Sequence, residues 1–268
     1  MEALVSIVTV SLNSAATIRD TLDSVARQIA PFRIEHICVD GGSTDGTREI
    51  ILQAASRSPQ IKTLFEPDRG LYDAMNKGLS LASGQYVLFL NSDDFLVGRS
   101  SVADAFARIS LGGTMPDMVL SDVIMGHLDK RGFWRMRRVP RLLSRFPRLG
   151  AHPPHQGSFI KRALLIRAGG FDPDLRLAAD TTLFYRLVHE LSATIAVSGT
   201  ITAFMRMGGL SNNKLVSFRQ GNAETYRYLR LHRSAASAAL SVSIKIAQKL
   251  FEYRYGRLRR EYLWNHAG

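Results

Sequence analysis

Cysteine is almost missing from this sequence, which has 268 residues and a single one, Cys38. A chain with one cysteine has no internal disulfide framework, and this composition favours a reducing compartment. Cys38 lies in the apolar run IEHICV, so we expect its thiol to be buried and unreactive.

Long hydrophobic runs are missing as well. The nearest candidate for a membrane span is the stretch from Ser234 to Phe251, which contains several serines together with Lys245 and Lys249. The first residues show neither the basic region nor the cleavage site of a secretory signal. We therefore expect a cytoplasmic protein without a spanning helix.

The net charge of +12 is concentrated in two segments. Residues 130–148 contain eight Lys/Arg and no acid, and residues 226–262 contain nine Lys/Arg and two Glu. Aromatic and aliphatic residues alternate with these cations, which favours contact with an anionic membrane surface. A solvated face or an oligomer contact is the alternative. A nucleic-acid-binding protein is a third interpretation, but only the charge supports it, because no nucleic-acid motif is present.

The first hundred residues alternate strand and helix patterns. Apolar runs such as VSIVTV, IEHICV, IKTLF and YVLFL predict strands, and the helix after the first strand has Ile18, Leu22, Val25 and Ile29 at helical spacing. This alternation predicts an α/β fold with a Rossmann-like, mostly parallel sheet flanked by helices. After residue 115 the pattern loosens. It predicts one more strand, a helix at 178–191, a pair of strands around TIAV and TITAFMRM, and a helical C-terminal region.

Polar clusters follow three of the predicted strands. They are SLN ending at Asn13, DGGSTDGT at residues 40–47, and NSDD at residues 91–94. Ligands of such sheets bind outside the carboxyl ends of the strands, so we expect these three clusters to form one site.

The cluster DGGSTDGT combines a strand-ending acid with glycines and helix-capping residues. Gly41 and Gly42 permit close backbone approach, and the helix start after Ser43 suits a phosphate or a ribose hydroxyl. An ordinary strand-to-helix turn remains an equal alternative. No GxGxxG follows a strand and no GxxxxGK[ST] occurs, so neither common nucleotide fingerprint is present.

The NSDD cluster places two carboxylates, Asp93 and Asp94, at the end of an apolar strand. A divalent cation such as Mg²⁺ or Mn²⁺ neutralises such a pair, and oxygen ligands suit either ion. The alternative is a solvated turn in which Asp94 caps a helix.

Five segments together resemble family 2 glycosyltransferases, especially bacterial members that build exopolysaccharide or O-antigen repeat units. In chain order they are SIVTVSLN, VDGGSTDGT, EPDRGLYDAMNKGL, GQYVLFLNSDD and HQGSFIKRALLIRAGGFDPDLRLAADTTLFYRL, and they lie within residues 4 to 210. The resemblance implies a GT-A fold, a nucleotide-sugar donor, a divalent metal and inversion at the anomeric carbon.

The resemblance also implies which residues form the site. Asn91 replaces the first acid of the usual DxD-type motif, so Asp93 becomes the main expected metal ligand and Asp94 a supporting acid. The acid that reads the base in many relatives is replaced by Gly41, so the donor nucleotide stays open between UDP, GDP and others. The residues expected at the donor are Thr9, Asn13, Asp40, Gly42, Ser43, Asp68, Arg69, Asp73, Asn76, Lys77, Asn91 and Ser92.

Residues from the second half complete the expected site. The family pattern makes Asp180 the catalytic base, although the same residue can cap its helix, and both roles can coexist. His155 and Gln156 are expected on the acceptor side. For Asp73, Asn76 and Lys77 the alternative is a solvated helix start with a local ion pair.

The resulting prediction is an inverting, metal-dependent glycosyltransferase with a glycan or polyprenyl-diphosphate-linked acceptor, peripheral at the inner face of the plasma membrane. Its GT-A domain is expected at residues 1–210, with a nucleotide-sugar-binding half at 1–115 and an acceptor-binding half at 116–210. A basic helical extension follows at 211–268. The rival interpretation within the same fold is a module that binds a nucleotide sugar without transferring it. Nucleic acid is not an expected partner, and the oligomeric state stays open.

Overall fold

A computed structural model of the chain describes residues 3–107, 109, 114–128, 134–137, 139, 153–207, 214–255 and 257–258. The first part of the chain alternates strands and helices, as the sequence pattern predicted. These are β1 (Ala3–Ser11), α1 (Ile18–Ala26), β2 (Arg33–Asp40), α2 (Thr47–Arg57), β3 (Ile61–Phe65), α3 (Leu71–Leu81) and β4 (Tyr86–Phe89).

The second part has shorter strands and ends in two long helices. Its elements are β5 (Phe95–Leu96), α4 (Ser101–Ala107), β6 (Met118–Gly126), β7 (Trp134–Arg137), a 3-10 helix (His155–Gly157), β8 (Ser158–Lys161), α5 (Arg162–Arg167), α6 (Ala179–Tyr185), a π-helical segment (Arg186–Glu190), β9 (Ile195–Arg206), α7 (Lys214–His232), α8 (Ala235–Tyr255) and β10 (Arg257–Leu258). Among the described residues, no helix combines the length and apolar content needed to cross a membrane.

All described strands belong to one sheet, whose main order is β10-β7-β6-β8-β4-β1-β2-β3. The pairs β1–β2, β2–β3 and β1–β4 are parallel. Strands β2 and β3 therefore lie on one side of β1, and β4 lies on the other. This reversal of strand order creates a switch point between β1 and β4. In open α/β sheets the crevice at the carboxyl ends of the strands beside a switch point is the usual ligand site.

The α/β class is confirmed, but parallel pairing dominates only among β1 to β4. Strand β8 runs antiparallel to both β4 and β6, and β7 is antiparallel to β6. The two strands expected around TIAV and TITAFMRM form one strand, β9, which pairs in parallel with β6. Gly199 within β9 has a φ of 72°, and the register shifts nearby, so a local bulge accommodates the interruption without ending the strand.

Apolar side chains on both faces of the sheet form the core. Val8 and Met75 of α3 belong to the buried cluster on one face, and Ile7 and Phe106 of α4 to the cluster on the other. Cys38 is buried as predicted, and burial raises the pKa of its thiol to about 12. The apolar face of α1 is shorter than predicted. The helix ends at Ala26, and Ile29, which was expected to belong to it, is 60% exposed.

A buried carboxylate ties together the opposite, amino-terminal edge of the parallel strands. Glu35 of β2 accepts hydrogen bonds from the Ser6 hydroxyl (2.5 Å) and the Ser83 N–H (2.5 Å) and lies 2.8 Å from the Lys62 ammonium. Burial alone raises the pKa of Glu35, but the Lys62 pair and the hydrogen bonds outweigh it and lower the pKa to about 2. The charged form of Glu35 therefore stabilises the fold.

We expect Glu35→Gln to lower the free energy of unfolding at pH 7 by about 3 kcal/mol, because an amide replaces a paired buried charge. This stabilisation is present above the ordinary pKa of 4.5 and is lost as the pH falls through 4.5 toward 2. Urea denaturation of both proteins at pH 7 and pH 3 should show the difference shrinking. The exposed Glu49→Gln is the matched control, and equal stability of Glu35→Gln and wild type at pH 7 would contradict the interpretation.

Candidate functional site

The three polar clusters meet beyond the carboxyl ends of β1, β2 and β4. The N–H of Asn13 donates to the Ser43 hydroxyl (2.8 Å), and the Asn13 side-chain oxygen accepts the N–H of Thr44 (2.9 Å). The hydroxyls of Ser14 and Ser92 are hydrogen bonded at 2.8 Å. Asn13, Ser43 and buried Ser92, all expected at the donor, therefore belong to one hydrogen-bonded group of loops at the switch point.

Asp40 shapes the loop of the DGGSTDGT cluster. It is 1% exposed, and its carboxylate accepts the N–H groups of Gly42 (3.2 Å) and Ser43 (2.9 Å) and the hydroxyls of Ser11 (3.0 Å) and Ser43 (2.5 Å). These bonds turn the chain sharply, and Gly42 takes a φ of 99° that suits only glycine. Asp40 thus acts on the site through the loop, and exposed Gly42 is the part open to a ligand.

A carboxylate from another loop lies beside Gly41. A Cβ added at Gly41 would be 2.1 Å from Oδ2 of Asp68, so the Asp68 carboxylate fills the space that a side chain at position 41 would use. Oδ1 of Asp68 accepts the N–H of Gly70 at 2.9 Å, which fixes its orientation. A carboxylate, that of half-buried Asp68, therefore lies at the place where a side chain of residue 41 would be.

Thr9 has no surface available for a donor. It is 1% exposed within β1, and its hydroxyl is hydrogen bonded to Nε2 of His36 at 2.9 Å. Burial lowers the pKa of His36 to about 4, so this pair is neutral at pH 7. The donor contact expected of Thr9 does not fit the structure, because its alternating position in the strand directs the side chain into the sheet packing.

The charged residues around the start of α3 bind mainly one another. Asp73 accepts the N–H of Arg69 (3.1 Å) and lies 3.3 Å from the Arg69 guanidinium, while the Lys77 ammonium is 3.6 Å from Asp73 and 3.0 Å from Glu66. The local ion pair offered as the alternative for Asp73 and Lys77 is thus present. The Arg69 side chain is 72% exposed, so its pair with Asp73 is open to solvent and leaves the guanidinium accessible to an anionic ligand.

Asn76 links α3 to the GGFD turn. Its side-chain nitrogen donates to the carbonyl of Phe171 (2.8 Å), and its oxygen accepts the N–H of Phe171 (2.9 Å). This reciprocal pair uses both ends of the amide, and the ring of Phe171 stacks on Tyr72 with centroids 5.3 Å apart. Asn76 therefore acts as a structural clamp, which leaves its amide little capacity for the expected donor contact.

The two carboxylates of NSDD have different environments. Asp94 is 2% exposed, and its oxygens accept the Gln156 amide (2.8 Å) and the Arg206 backbone N–H (3.0 Å). Burial, followed by the charge of Asp93, raises the pKa of Asp94 to about 8, and burial also raises the pKa of Asp93. Half-buried Asp93 is the more accessible of the two. Two adjacent carboxylates in such a setting do not both keep their charge unless a cation compensates them.

The residues around Asp93 fit a divalent cation. The side-chain oxygen of Asn91 is buried, and no described residue donates to it. Carboxylate and amide oxygens are the ligands that Mg²⁺ and Mn²⁺ prefer. The described residues contain no group of three His, Cys, Asp or Glu suited to a metal, so the protein would contribute few ligands and a diphosphate or water the others.

Arg206, at the end of β9, belongs to the same cluster although sequence reasoning missed it. Its guanidinium pairs with Asp20 of α1 and lies 5.7 Å from the centre of the Phe95 ring. The available signal was its place at the end of a strand, just before two glycines. Gln156, expected on the acceptor side, instead holds Asp94, and half-buried His155 precedes it in the 3-10 helix.

Asp180 lies in the first turn of α6, but the N-cap position is Ala178, so Asp180 is not the cap residue that the alternative expected. Its Oδ1 accepts the N–H (2.6 Å) and the hydroxyl (3.3 Å) of Thr181. Burial, and then the nearby charge of Asp180, raise the pKa of Tyr72, the second residue of α3. Because α3 begins beyond the carboxyl end of β3, this contact brings Asp180 to the edge of the sheet that carries the three clusters.

An α/β sheet with a parallel half and an acid pair beyond β4, at the switch point, is the arrangement expected of a GT-A-type glycosyltransferase. A sequence model described as "Glycosyl transferase family 2" matches residues 6–149, which is more than half of the chain. The chain belongs to the family 2 glycosyltransferases, and the resemblance seen in the sequence is confirmed.

Relatives and solved structures agree with this class. The chain is 35% identical over 212 residues to the "PGL/p-HBAD biosynthesis glycosyltransferase" of Mycobacterium bovis, covering 77% of this chain and 78% of the relative. The S. aureus TarS 1-349 structure in complex with UDP-GlcNAc superposes with a TM-score of 0.63 at 22% identity, over 97% of this chain. The chain covers 65% to 69% of TarS 1-349, depending on the complex compared.

A second solved structure has the same fold. The mannosyltransferase PcManGT of Pyrobaculum calidifontis, in complex with GDP-Man and Mn²⁺, gives a TM-score of 0.61 at 19% identity over 96% of this chain and 77% of that one. At these identities the superpositions establish the fold.

Asp93→Asn should weaken Mn²⁺ binding in the presence of UDP or GDP, because it removes the accessible carboxylate. The affinity for Mn²⁺ should fall by more than the roughly 10- to 100-fold loss that follows mutation of a residue hydrogen bonded to a metal ligand. Calorimetric titration with Mn²⁺ measures the change, and the exposed Asp23→Asn is the charge-matched control. Unchanged Mn²⁺ affinity in a folded Asp93→Asn protein would exclude Asp93 as a ligand.

Proposed function

We propose that this chain is an inverting, metal-dependent glycosyltransferase. It moves a sugar from a nucleotide-sugar donor to a glycan or polyprenyl-diphosphate-linked acceptor in bacterial surface polysaccharide synthesis. The observation that carries the proposal is the convergence of the three polar loops and the acid pair at the switch point of the sheet, with Asp180 at the same edge. TarS and PcManGT, which share the fold, were solved with UDP-GlcNAc and with GDP-Man.

The donor would bind across the carboxyl ends of β1, β2 and β4. Asn13, Ser43 and Ser92 would contribute polar groups to the donor site. The exposed side chain of Arg69, just before α3, would contact an anionic group of the donor. Asp93, with the Asn91 side-chain oxygen, would hold Mg²⁺ or Mn²⁺. When bound, the cation supplies positive charge against the negative charge that develops on the departing diphosphate.

Asp180 is the proposed general base. The acceptor hydroxyl attacks the anomeric carbon on the face opposite the diphosphate, the bond from that carbon to the diphosphate oxygen breaks, and the hydroxyl proton passes to Asp180. A single displacement of this kind inverts the configuration at the anomeric carbon. Oδ1 of Asp180 is held by Thr181, which orients the carboxylate for this transfer.

A panel of UDP- and GDP-sugars, assayed for release of the nucleoside diphosphate, tests the proposal. We expect turnover of one donor class with Mn²⁺ or Mg²⁺, loss of that turnover in excess chelator, and its recovery when the ion is restored. Asp180→Asn should bind the same donor and lose about a hundredfold or more in rate. Normal turnover by Asp180→Asn would overturn the assignment of the base.

The panel also separates the alternatives. Donor binding without any turnover would favour a non-catalytic nucleotide-sugar-binding module, and the absence of both binding and turnover would contradict the glycosyltransferase proposal. The stereochemistry of the product, read by NMR from its anomeric signal, tests inversion independently of the residue assignments.

The acceptor and its location form a separate part of the proposal. Most of the basic segment 130–148 lies outside the part of the chain that the structure describes, so its charge pattern is the support for membrane contact. We expect the protein to sediment with vesicles containing phosphatidylglycerol at low salt and to be released at about 1 M salt, where charges are strongly screened. Vesicles of phosphatidylcholine alone are the control. Equal sedimentation with both would contradict an electrostatic membrane contact.

A further inference from the structure

We infer that Lys245, in the C-terminal helix α8, is a positioning residue for the base Asp180 and acts through the hydroxyl of Thr181. The inference rests on the proposed role of Asp180. It makes the two helices that follow the sheet domain part of the catalytic arrangement, although the sequence pattern identified them only as a basic extension.

A chain of hydrogen bonds connects the ammonium to the carboxylate. Nζ of Lys245 lies 3.0 Å from Oγ1 of Thr181, which in turn lies 3.3 Å from Oδ1 of Asp180. Lysine can only donate, so the Thr181 oxygen accepts from Lys245 and its own hydrogen is left to point at Asp180. The Thr181 N–H adds a second bond to the same carboxylate oxygen at 2.6 Å.

Lys245 is itself fixed by α7. Its ammonium donates to the hydroxyl of Thr225 at 3.1 Å, and that hydroxyl donates to the carbonyl of Gly221 at 2.8 Å. Thr181 and Thr225 are both buried, which shields these bonds from competition with water. The ammonium therefore has a defined position relative to the first turn of α6.

Helix α7 also holds the segment that leads into α6. Buried Glu224 accepts the N–H groups of Leu177 (2.9 Å) and Ala178 (3.0 Å), while Ala178, at the N-cap position of α6, provides no side-chain cap. A Cβ added at Gly221 would be 3.4 Å from Cβ of Leu177, so the backbones approach closely. The entry to α6 is thus positioned from outside the sheet domain.

This arrangement has a chemical consequence. With Oδ1 held by Thr181, the carboxylate of Asp180 keeps one orientation. The Lys245 ammonium is two hydrogen bonds away, and its positive charge favours the charged, proton-accepting form of Asp180. Among the described residues, Glu224 from α7 and Tyr72 from α3 also face this segment.

The test compares Lys245→Met and Thr181→Val with wild type, using the donor identified by the panel. We expect each variant to lose roughly tenfold in kcat with little change in the donor KM, a smaller loss than that of removing the base itself. The acidic limb of the kcat/KM profile should move to higher pH by up to about one unit in Lys245→Met. Thr181→Ser, which keeps the hydroxyl, should retain activity.

Two further measurements separate positioning from a merely structural effect. The double variant should be no slower than the slower single variant, because Lys245 acts through Thr181. Arg230→Met removes an exposed cation from α7 and is the charge-matched control, expected to behave as wild type. If Lys245→Met fails to fold, Thr181→Val, Thr181→Ser and their pH profiles carry the test alone.

The outcomes distinguish this inference from the proposed function. A Lys245→Met protein with the wild-type kcat and pH profile, or losses that add in the double variant, would overturn the positioning role while Asp180→Asn stays inactive. Full activity of Asp180→Asn would overturn the base assignment itself. Donor binding by calorimetry should be unchanged in every folded variant, since none of these residues lies among the donor loops.

Discussion

The site depends on the hydrogen bonds that the buried carboxyl group of Asp94 accepts. This carboxyl group accepts from Gln156 and from the backbone of Arg206, and the Asp94 carbonyl accepts the Thr21 hydroxyl at 2.6 Å. Helix α1, the 3-10 helix and the end of β9 therefore converge on one residue. A polar group removed from water requires such partners, and the adjacent Asp93 follows Asp94 in position. The sheet places the acid pair at the switch point, and Asp94 holds the surrounding segments to it.

Local pattern was sufficient to predict the parallel half of the fold and the place of the site. Alternation of apolar runs with amphipathic stretches located β1 to β4, and the rule for carboxyl edges brought Asn13, Ser43 and Ser92 together. The antiparallel partners of β6 and β8 were not predictable in this way, because the choice of partner depends on contacts between residues far apart in the chain. The bulge at Gly199 likewise keeps β9 a single strand where the sequence pattern predicted two.

The residues expected at the donor divide according to where their partners lie in the chain. Asp73 has its partners Arg69 and Lys77 four residues away on either side, so the local ion pair could be foreseen as an alternative, whereas Lys77 also pairs with Glu66 before the helix. Asn76 is bound by Phe171, 95 residues later, and no spacing rule indicates such a clamp. The same holds for Lys245, which lies 64 residues from Thr181. Local sequence identifies which residue types are chemically able to act, whereas tertiary contacts decide which of them are already occupied.

The close approach of Gly41 and Asp68 has a consequence for how this site can change in evolution. Any side chain at position 41 would overlap the Asp68 carboxylate, so the two positions are sterically exclusive in this conformation. A side chain gained at position 41 therefore requires the Asp68 side chain to rotate away or to be shortened. The room for a side chain in the loop after β2 is thus set by the conformation of a residue in the loop after β3, so a change at either position alters what the other can accept.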